Sequence, residues 1–326
     1  MDTGTHLVVG IGLGGLAMTD PAIASDATAS AAVMIGTVLG SQAPDADTIM
    51  RMKGNAAYIR HHRGISHSIP FLFIWTGSIS LVLSAIFSSV PFWHLVFWVF
   101  LAVFVHIFSD LFNTYGTQAL RPISERWISW NIIHIFDLFI FSSHLVAILL
   151  WVLGVLSASI VFPLLYGIIL LYYLWRTLHR ARLIRLMPSI DSTHEPDDQY
   201  LLIPTIRHSL WHVVKIKKNG SYIQGEWNQG RLKWIDKVQC ADHPAVEASK
   251  HHPNIASFLY FTSYACAEIR QHPRGYEVRW IDVRYRHRNK YPFVGVVIMD
   301  HDYRFLDSYV GWKSNEKIKK KLRFNA

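Results

Sequence analysis

Apolar residues along the first 175 positions form long runs that are separated by short polar joints. The four strongest runs are close to the length of a membrane-spanning helix, and they occupy 69–91, 92–109, 138–157 and 159–175. Two weaker runs, 6–18 and 27–43, are rich in Gly and Ala. The pattern predicts an all-α helical membrane bundle of about six hydrophobic helices, and we expect the first helix to pack closely through its glycines.

A different pattern begins after the last run. Four segments alternate between apolar and polar residues or are rich in residues that favour β-strands, which predicts strands. They lie at 211–216, 221–227, 276–285 and 291–299. Lys218-Asn219-Gly220 is a hairpin turn signal between the first two strands, and 245–269 is typical of a helix. We therefore expect a helical membrane domain at 1–187, a polar linker at 188–204, and a small α+β, β-rich domain at 205–326.

Charge divides the chain at the same place. Residues 1–175 hold 6 Lys and Arg against 8 Asp and Glu, whereas 176–326 hold 26 against 15. Lys and Arg fall in every second connection between the apolar runs, and the positive-inside rule makes those connections cytoplasmic. The sequence thus predicts a multi-pass protein of a bacterial-type cell membrane, whose basic C-terminal domain is cytoplasmic and lies beside anionic lipids.

The two cysteines, Cys240 and Cys266, have no metal-type spacing. This usage is typical of a reducing compartment and argues against a disulfide scaffold. The basic domain carries no helix-turn-helix or zinc-finger signature, so a nucleic-acid partner is not expected. Membrane lipids are the expected partner.

Ionisable side chains recur at the ends of the apolar runs, where their cost makes a functional role the first hypothesis. In chain order they are His6, Asp45, Asp47, His67, His106, Asp110 and Asp137. His106 and Asp110 are four residues apart, so they share one face of a helix. If the runs alternate in direction, all seven residues lie at the same face of the membrane.

Each of these residues alone has an ordinary explanation as a hydrogen-bonded pair, a helix cap or part of a solvated basic joint. Their convergence at one face favours a metal site, and imidazoles with carboxylates suit zinc, or manganese as the alternative. The set is large enough for one to three ions. Asp45 and Asp47 are also the candidate catalytic residues, one of them as general base. The candidates for binding a phosphate-bearing substrate are Arg60, His62, Arg63 and Asn113.

The order of these motifs is an early Thr-His, then Pro-Asp-x-Asp, then His-Arg-Gly-x-Ser-His-Ser, then His-x3-Asp followed by Asn-x2-Gly. Over residues 1–175 it resembles the YdjM family of membrane-bound, metal-dependent hydrolases, and most of all its YfhP-type members, which carry a soluble C-terminal extension. The resemblance implies a distant relation to zinc-dependent phospholipase C and to the single-strand-specific zinc nucleases, which hold three zinc ions in an all-helical fold.

The resemblance also implies a ligand set. His67, His106, Asp110 and one of Asp45 and Asp47 match the ligands of the principal ion, and His6 matches the His of an ion near the N-terminus. The relatives use a processed N-terminal amine, a further His and a His-x3-Glu. This chain instead has Met1, Gly116 and His134-x2-Asp137 at those places.

The function expected from these residues is that of a membrane-embedded, metal-dependent hydrolase acting on a small phosphoester or lipid-related substrate at the cytoplasmic face. The alternative is a regulatory or scaffold membrane protein with a structural metal site and a tail that binds a partner or nucleic acid. A transporter is a third hypothesis, which the position of the polar residues at one face makes weaker.

Overall fold

The computed structural model describes residues 1–286 and 290–312. Its chain divides into two compact units. The first unit comprises Met1–Asp47, Arg63–Arg185 and Pro204–His208, and the second comprises Thr48–His62, Leu186–Ile203 and the described residues from Ser209 onward. The domain boundaries expected at 187 and 205 stay predictions.

Helices make up the first unit and contribute to the second. The α-helices of the described ranges are α1 (Thr3–Leu16), α2 (Pro21–Ala24), α3 (Ala27–Gln42), α4 (Asn55–His61), α5 (Ile69–Ile86), α6 (Phe92–Leu111), α7 (Leu138–Val152), α8 (Ala158–Ile190), α9 (Pro244–Ser249) and α10 (Pro253–Phe261). Short 3-10 helices lie at Ala17–Thr19, Ala43–Lys53 and Ile65–His67.

Three helices, α5, α6 and α8, are long and apolar enough to cross a membrane. The apolar helices Thr3–Thr19 and Leu138–Val152 are shorter, so the expected six crossings stay a prediction. Helix α8 continues to Ile190, well beyond the end expected at 175. Its 33 residues correspond to about 50 Å of helix, which exceeds the roughly 30 Å hydrocarbon core of a bilayer.

The glycines of α1 permit the close packing expected from the sequence. A Cβ atom built on Gly10 would lie 2.2 Å from Oγ of Ser41, at the end of α3, and one built on Gly15 would lie 2.1 Å from the ring of Phe162 in α8. Neither approach leaves room for a side chain. Helix α1 is therefore held directly against α3 and α8. Its first residues lie beside the ends of α3 and α6.

Helix α6 packs between two apolar clusters of the first unit. Its Ala102 belongs to the cluster built around α1, α7 and α8. Its Val99 and Val103 belong to the cluster built around α3 and α5. All three side chains are buried. The last turn of α6, which carries His106 and Asp110, is fixed in position by both clusters.

The second unit contains two four-stranded sheets, ordered β1-β2-β3-β4 and β5-β6-β7-β8. The strands are β1 (Gln199–Pro204), β2 (Leu210–Ile216), β3 (Tyr222–Asn228), β4 (Arg231–Val238), β5 (Ala265–His272), β6 (Gly275–Asp282), β7 (Phe293–Met299) and β8 (Phe305–Trp312). The four strands predicted from sequence are confirmed as β2, β3, β6 and β7. The predicted turn is confirmed as well, because β2 and β3 are antiparallel and Gly220 between them has a φ of +77°, which favours glycine.

Two expectations for this unit need correction. The helix expected at 245–269 is two short helices, each begun by a proline after a His cap, and strand β5 replaces its last part from Ala265. The segment 188–204, interpreted as a linker, contains the end of α8 and all of β1.

The cysteine usage, interpreted as typical of a reducing compartment, did not predict a bond between the two residues, but Cys240 and Cys266 form a disulfide. Strand β4 ends just before Cys240, and Ala241 donates its backbone N–H to the carbonyl of Ala267 in β5. This contact brings the two Cα atoms to 5.0 Å, a usual separation for a disulfide. The bond therefore follows from chain packing, which the spacing of the cysteines does not reveal.

A buried charged network lies inside the second unit. The Lys215 ammonium is 2.7 Å from Asp191 Oδ2 and 3.2 Å from Asp198 Oδ2, and the Lys215 and Asp191 side chains are fully buried. The hydroxyl of Tyr200 and the indole N–H of Trp234 also donate to Asp191. Buried charges are tolerated where they are paired and hydrogen-bonded in this way.

Candidate metal centre

Four of the side chains singled out in the sequence converge in the first unit. They are Asp45, His67, His106 and Asp110, and one possible ligand atom from each lies within 4.8 Å of all the others. Asp45 belongs to the 3-10 segment after α3, His67 ends the 3-10 turn before α5, and His106 and Asp110 occupy the last turns of α6. The expectation that these helix ends share one side of the bundle is met for this set.

The distances match the size of a metal site. His67 Nε2 lies 3.2 Å from His106 Nε2, 3.4 Å from Asp45 Oδ1 and 3.5 Å from Asp110 Oδ2. His106 Nε2 lies 3.8 Å from Asp45 Oδ1 and 3.9 Å from Asp110 Oδ2. Ligands held tetrahedrally about 2.0–2.1 Å from an ion are separated from each other by about 3.3 Å.

Both imidazoles present a lone pair to this centre. Nδ1 of His106 lies 2.6 Å from the carbonyl of Ser41, so it carries the proton and donates it. Ser66 donates its hydroxyl to Asp47 Oδ2 at 2.5 Å and therefore accepts from His67 Nδ1 at 2.9 Å. With its one proton assigned to Nδ1, each neutral ring has Nε2 as an acceptor.

Burial governs the protonation of the groups around Asp45. Burial lowers the pKa of His67 below its usual value, although the neighbouring carboxylates of Asp45 and Asp47 act in the opposite direction. Burial alone would raise the pKa of Asp45, but the neighbouring His67, His106 and Arg63 side chains hold that pKa below its usual range. A neutral imidazole and a charged carboxylate are the forms in which these residues bind metal ions.

The buried oxygens of the cluster also suit a bound cation. Asp45 Oδ1 and Asp110 Oδ2 are buried and accept no hydrogen bond from the described parts of the chain. Buried carboxylate oxygens rarely lack a partner. Two such oxygens facing two imidazole lone pairs form a site that suits a divalent ion, because a cation satisfies all four at once.

His6 adjoins the cluster on the other oxygen of Asp110. Its ring stacks on that of His106 with centroids 3.7 Å apart, and its Nε2 lies 3.3 Å from Asp110 Oδ1. The main-chain nitrogen of Met1 contacts the same oxygen and lies 2.8 Å from His6 Nε2. His6 in α1 thus offers a further possible ligand next to the first four.

Arg63 and Asn113 support Asp110. Arg63 has a φ of +61°, and its guanidinium donates to Met1 O and Asn113 Oδ1 and lies 3.3 Å from Asp110 Oδ2. Asn113 donates to Asp110 Oδ1 at 3.1 Å. Both residues were expected to bind substrate, whereas the structure gives them contacts that position a candidate ligand.

Asp47 lies on the outer side of His67. Its Oδ2 accepts from the backbone N–H of Arg63 at 2.9 Å and from Ser66 at 2.5 Å, and it is 3.7 Å from His67 Nδ1. Asp45 is therefore the member of the pair that joins the four-residue cluster. Ser66 and the Ser41 carbonyl, which orient the two imidazoles, were not found from sequence, although Ser66 lies within the His-Arg-Gly-x-Ser-His-Ser motif.

The remaining expected site residues lie outside this four-residue cluster. Asp137 accepts from two backbone N–H groups of α7 as its N-cap and from the Tyr172 hydroxyl at 2.7 Å. Arg60 and His62 belong to the second unit, where Arg60 lies over the ring of Tyr260 and His62 stacks on a neighbouring tyrosine. Roles in metal or substrate binding for these three stay predictions.

Comparisons with known proteins agree with this organisation. Residues 1–183 match the family model described as YdjM inner membrane protein, and residues 244–322 match the YfhP C-terminal alpha/beta plait domain. The chain is 41% identical over 330 residues to the protein of Bacillus subtilis (strain 168) named "Uncharacterized protein YfhP", covering all of both chains. No solved structure matches.

Proposed function

The chain belongs to the YdjM inner membrane protein family, and on that premise we propose that it is a metal-dependent hydrolase of the membrane that cleaves a phosphoester, of a lipid or a small phosphate compound. The cofactor in this proposal is zinc, with manganese as the alternative. The reaction is assigned to the cytoplasmic face, where the basic connections are expected.

One observation carries the proposal. The two lone-pair nitrogens, His67 Nε2 and His106 Nε2, face each other at 3.2 Å beside carboxylate oxygens of Asp45 and Asp110 that accept no hydrogen bond within the described ranges. Such an arrangement is repulsive unless a cation lies between its members, and Arg63 offsets only part of the negative charge. Metal binding explains why these imidazole nitrogens and carboxylate oxygens converge.

In this proposal each residue of the cluster has its own role. Asp45, His67, His106 and Asp110 would hold the principal ion, and His6 with Asp110 Oδ1 would hold a second. A divalent ion at such a site activates a bound water and neutralises charge that develops on a phosphoester. Because Asp47 Oδ2 accepts hydrogen bonds from the Arg63 backbone and from Ser66, and so fixes Ser66 against His67, we assign Asp47 to orienting His67 in place of the general base considered from sequence.

A matched pair of variants tests the metal centre. Asp110→Asn removes a charged candidate ligand with little change in volume, whereas Asp26→Asn changes a carboxylate of the same unit that caps α3, a role that Asn also fills. We expect the purified Asp110→Asn protein to lose bound metal, measured by mass spectrometry, and to lose hydrolysis on a panel of phosphoesters. Asp26→Asn should retain both. Unchanged metal content in Asp110→Asn would contradict the proposal.

Burial of the cluster favours a second candidate, the structural metal site of a regulatory or scaffold protein. His67, His106 and Asp110 are at most 1% exposed, which leaves little access for a substrate. If this alternative holds, the wild-type protein binds metal and is stabilised by it, but hydrolyses no member of the panel. Binding of the protein to DNA or to a protein partner would then identify the role of the basic domain.

A further inference from the structure

The loop formed by residues 117–128 lies at one end of the helical unit. Thr117 and Ile128 close its base by exchanging two backbone hydrogen bonds, of 3.1 and 2.9 Å. Between them the chain runs over the surface with several exposed residues. We call this segment the 117–128 loop.

Backbone hydrogen bonds fix the depth of the 117–128 loop relative to two candidate membrane spans. Ile69, the first residue of α5, donates its N–H to the carbonyl of Ala119 at 3.0 Å. Just beyond the loop, Trp130 donates to the carbonyl of Leu111, the last residue of α6, at 2.7 Å. The loop is thus attached to the ends of two helices that are long enough to cross a bilayer, which places it where the hydrocarbon core meets the headgroups.

The exposed side chains of the loop suit that depth. Ile123 is 95% exposed and Leu120 is 43% exposed, while Arg121 and Arg126 lie on either side of Ile123 in the sequence. A single exposed isoleucine carries little information on an ordinary protein surface. At a membrane boundary, however, apolar side chains flanked by arginines are the composition that enters the interface, with the guanidinium groups among the headgroups.

We propose that the 117–128 loop is a membrane-contacting element that inserts Ile123 and Leu120 into the phospholipid interface. The loop also supports the candidate metal centre, because Gln118 donates its backbone N–H to the carbonyl of Arg63 at 2.9 Å. Arg63 in turn contacts Asp110. Contact with lipid at Ile123 therefore fixes the metal centre at headgroup depth, whatever reaction occurs there.

Site-directed fluorescence in vesicles tests this proposal. The full-length protein is reconstituted in phosphatidylcholine vesicles with an environment-sensitive thiol probe at Ile123→Cys or, as matched control, at Glu125→Cys in the same loop. Both native cysteines are paired in the disulfide, so the probe labels the introduced residue, and the unsubstituted protein reports any background. Because Ile123 is almost fully exposed, its replacement removes no core contact.

We expect the probe at Ile123 to emit at shorter wavelength than the probe at Glu125 and to be quenched more strongly by nitroxide-labelled lipids. A probe at Leu120→Cys should behave like the probe at Ile123. Stronger quenching of Ile123 by aqueous iodide than by lipid nitroxides would overturn the proposal. Shielding of Ile123 from both quenchers would also overturn it, in favour of a protein partner or a second copy of the chain on this loop.

Discussion

Removal of the Ser66 hydroxyl changes the hydrogen bond that orients His67 but leaves all four candidate metal ligands in place. In Ser66→Ala the Nδ1–H of His67 loses its acceptor while remaining buried, which costs about 1–3 kcal/mol. The ring can also move its proton to Nε2, which would remove the lone pair from the centre. Loss of such a supporting hydrogen bond typically weakens metal affinity about 10–100-fold, equivalent to about 1.4–2.8 kcal/mol.

Ser68 provides the matched control. It flanks His67 on the other side and is also buried, but its hydroxyl makes no hydrogen bond with the residues that the structure describes. Ser68→Ala therefore removes a hydroxyl of the same size from the same neighbourhood without changing the His67 ring. We expect its metal affinity to equal that of the wild type.

The measurement is a zinc competition titration of the full-length, detergent-purified protein against a chromophoric chelator. The expected result is a dissociation constant for Ser66→Ala that is about 10–100 times that of the wild type and of Ser68→Ala. Equal affinities for the two serine variants would refute the assigned hydrogen-bond direction, and with it the argument that His67 Nε2 faces the centre as a lone pair.

Three further outcomes concern stability. Asp191→Ala leaves the Lys215 ammonium buried with part of its counter-charge removed, so urea denaturation should show a loss of about 3–5 kcal/mol. Burial raises the pKa of Asp191, but hydrogen bonds led by that from Lys215 lower it more. The stabilisation from the Asp191–Lys215 pair is thus complete above about pH 4 and should disappear as the pH falls below that value. A series of denaturation experiments at acid pH measures this loss. Gly15→Ala forces a methyl group against the Phe162 ring, and this overpacking should cost about 1–3 kcal/mol and lower the thermal midpoint in detergent. Gly167→Ala is the control, because a Cβ atom there meets nothing within 4 Å, and it should leave the midpoint unchanged. Reducing the disulfide, which links residues 26 apart, should lower the unfolding free energy by about 3–4 kcal/mol, measured by denaturation with and without reductant.

The grouping of the candidate ligands could be predicted from sequence because it depends on helix periodicity and on the direction of successive helices. His106 and Asp110 share a face by their spacing, and the antiparallel course of the helices brings His67 and Asp45 to the same end. The choice between Asp45 and Asp47 could not be predicted. It depends on the 3-10 turn that sends Asp45 toward Nε2 of His67 and Asp47 toward Nδ1.

Parts of the second unit were missed for a different physical reason. Strand β4 is largely exposed and rich in charged residues, so it lacks the apolar alternation of a half-buried strand. Strand β5 follows α10 after three residues, and its sequence Ala-Cys-Ala-Glu-Ile does not contradict a helix. Its strand conformation is set by pairing with β6 along its whole length, which is a tertiary effect. The pairing of the cysteines depends on the same placement of β5.

The way the centre is assembled from separate chain segments has a consequence for biogenesis. The stretch after α3, the turn before α5 and the end of α6 each contribute at least one side chain, and none of them presents a complete site alone. Loading of an ion and docking of these helices are therefore expected to be a single thermodynamic event. In the proposed function, chains that lack the ion would be less stable than loaded ones, so that the supply of the ion would influence the amount of mature protein.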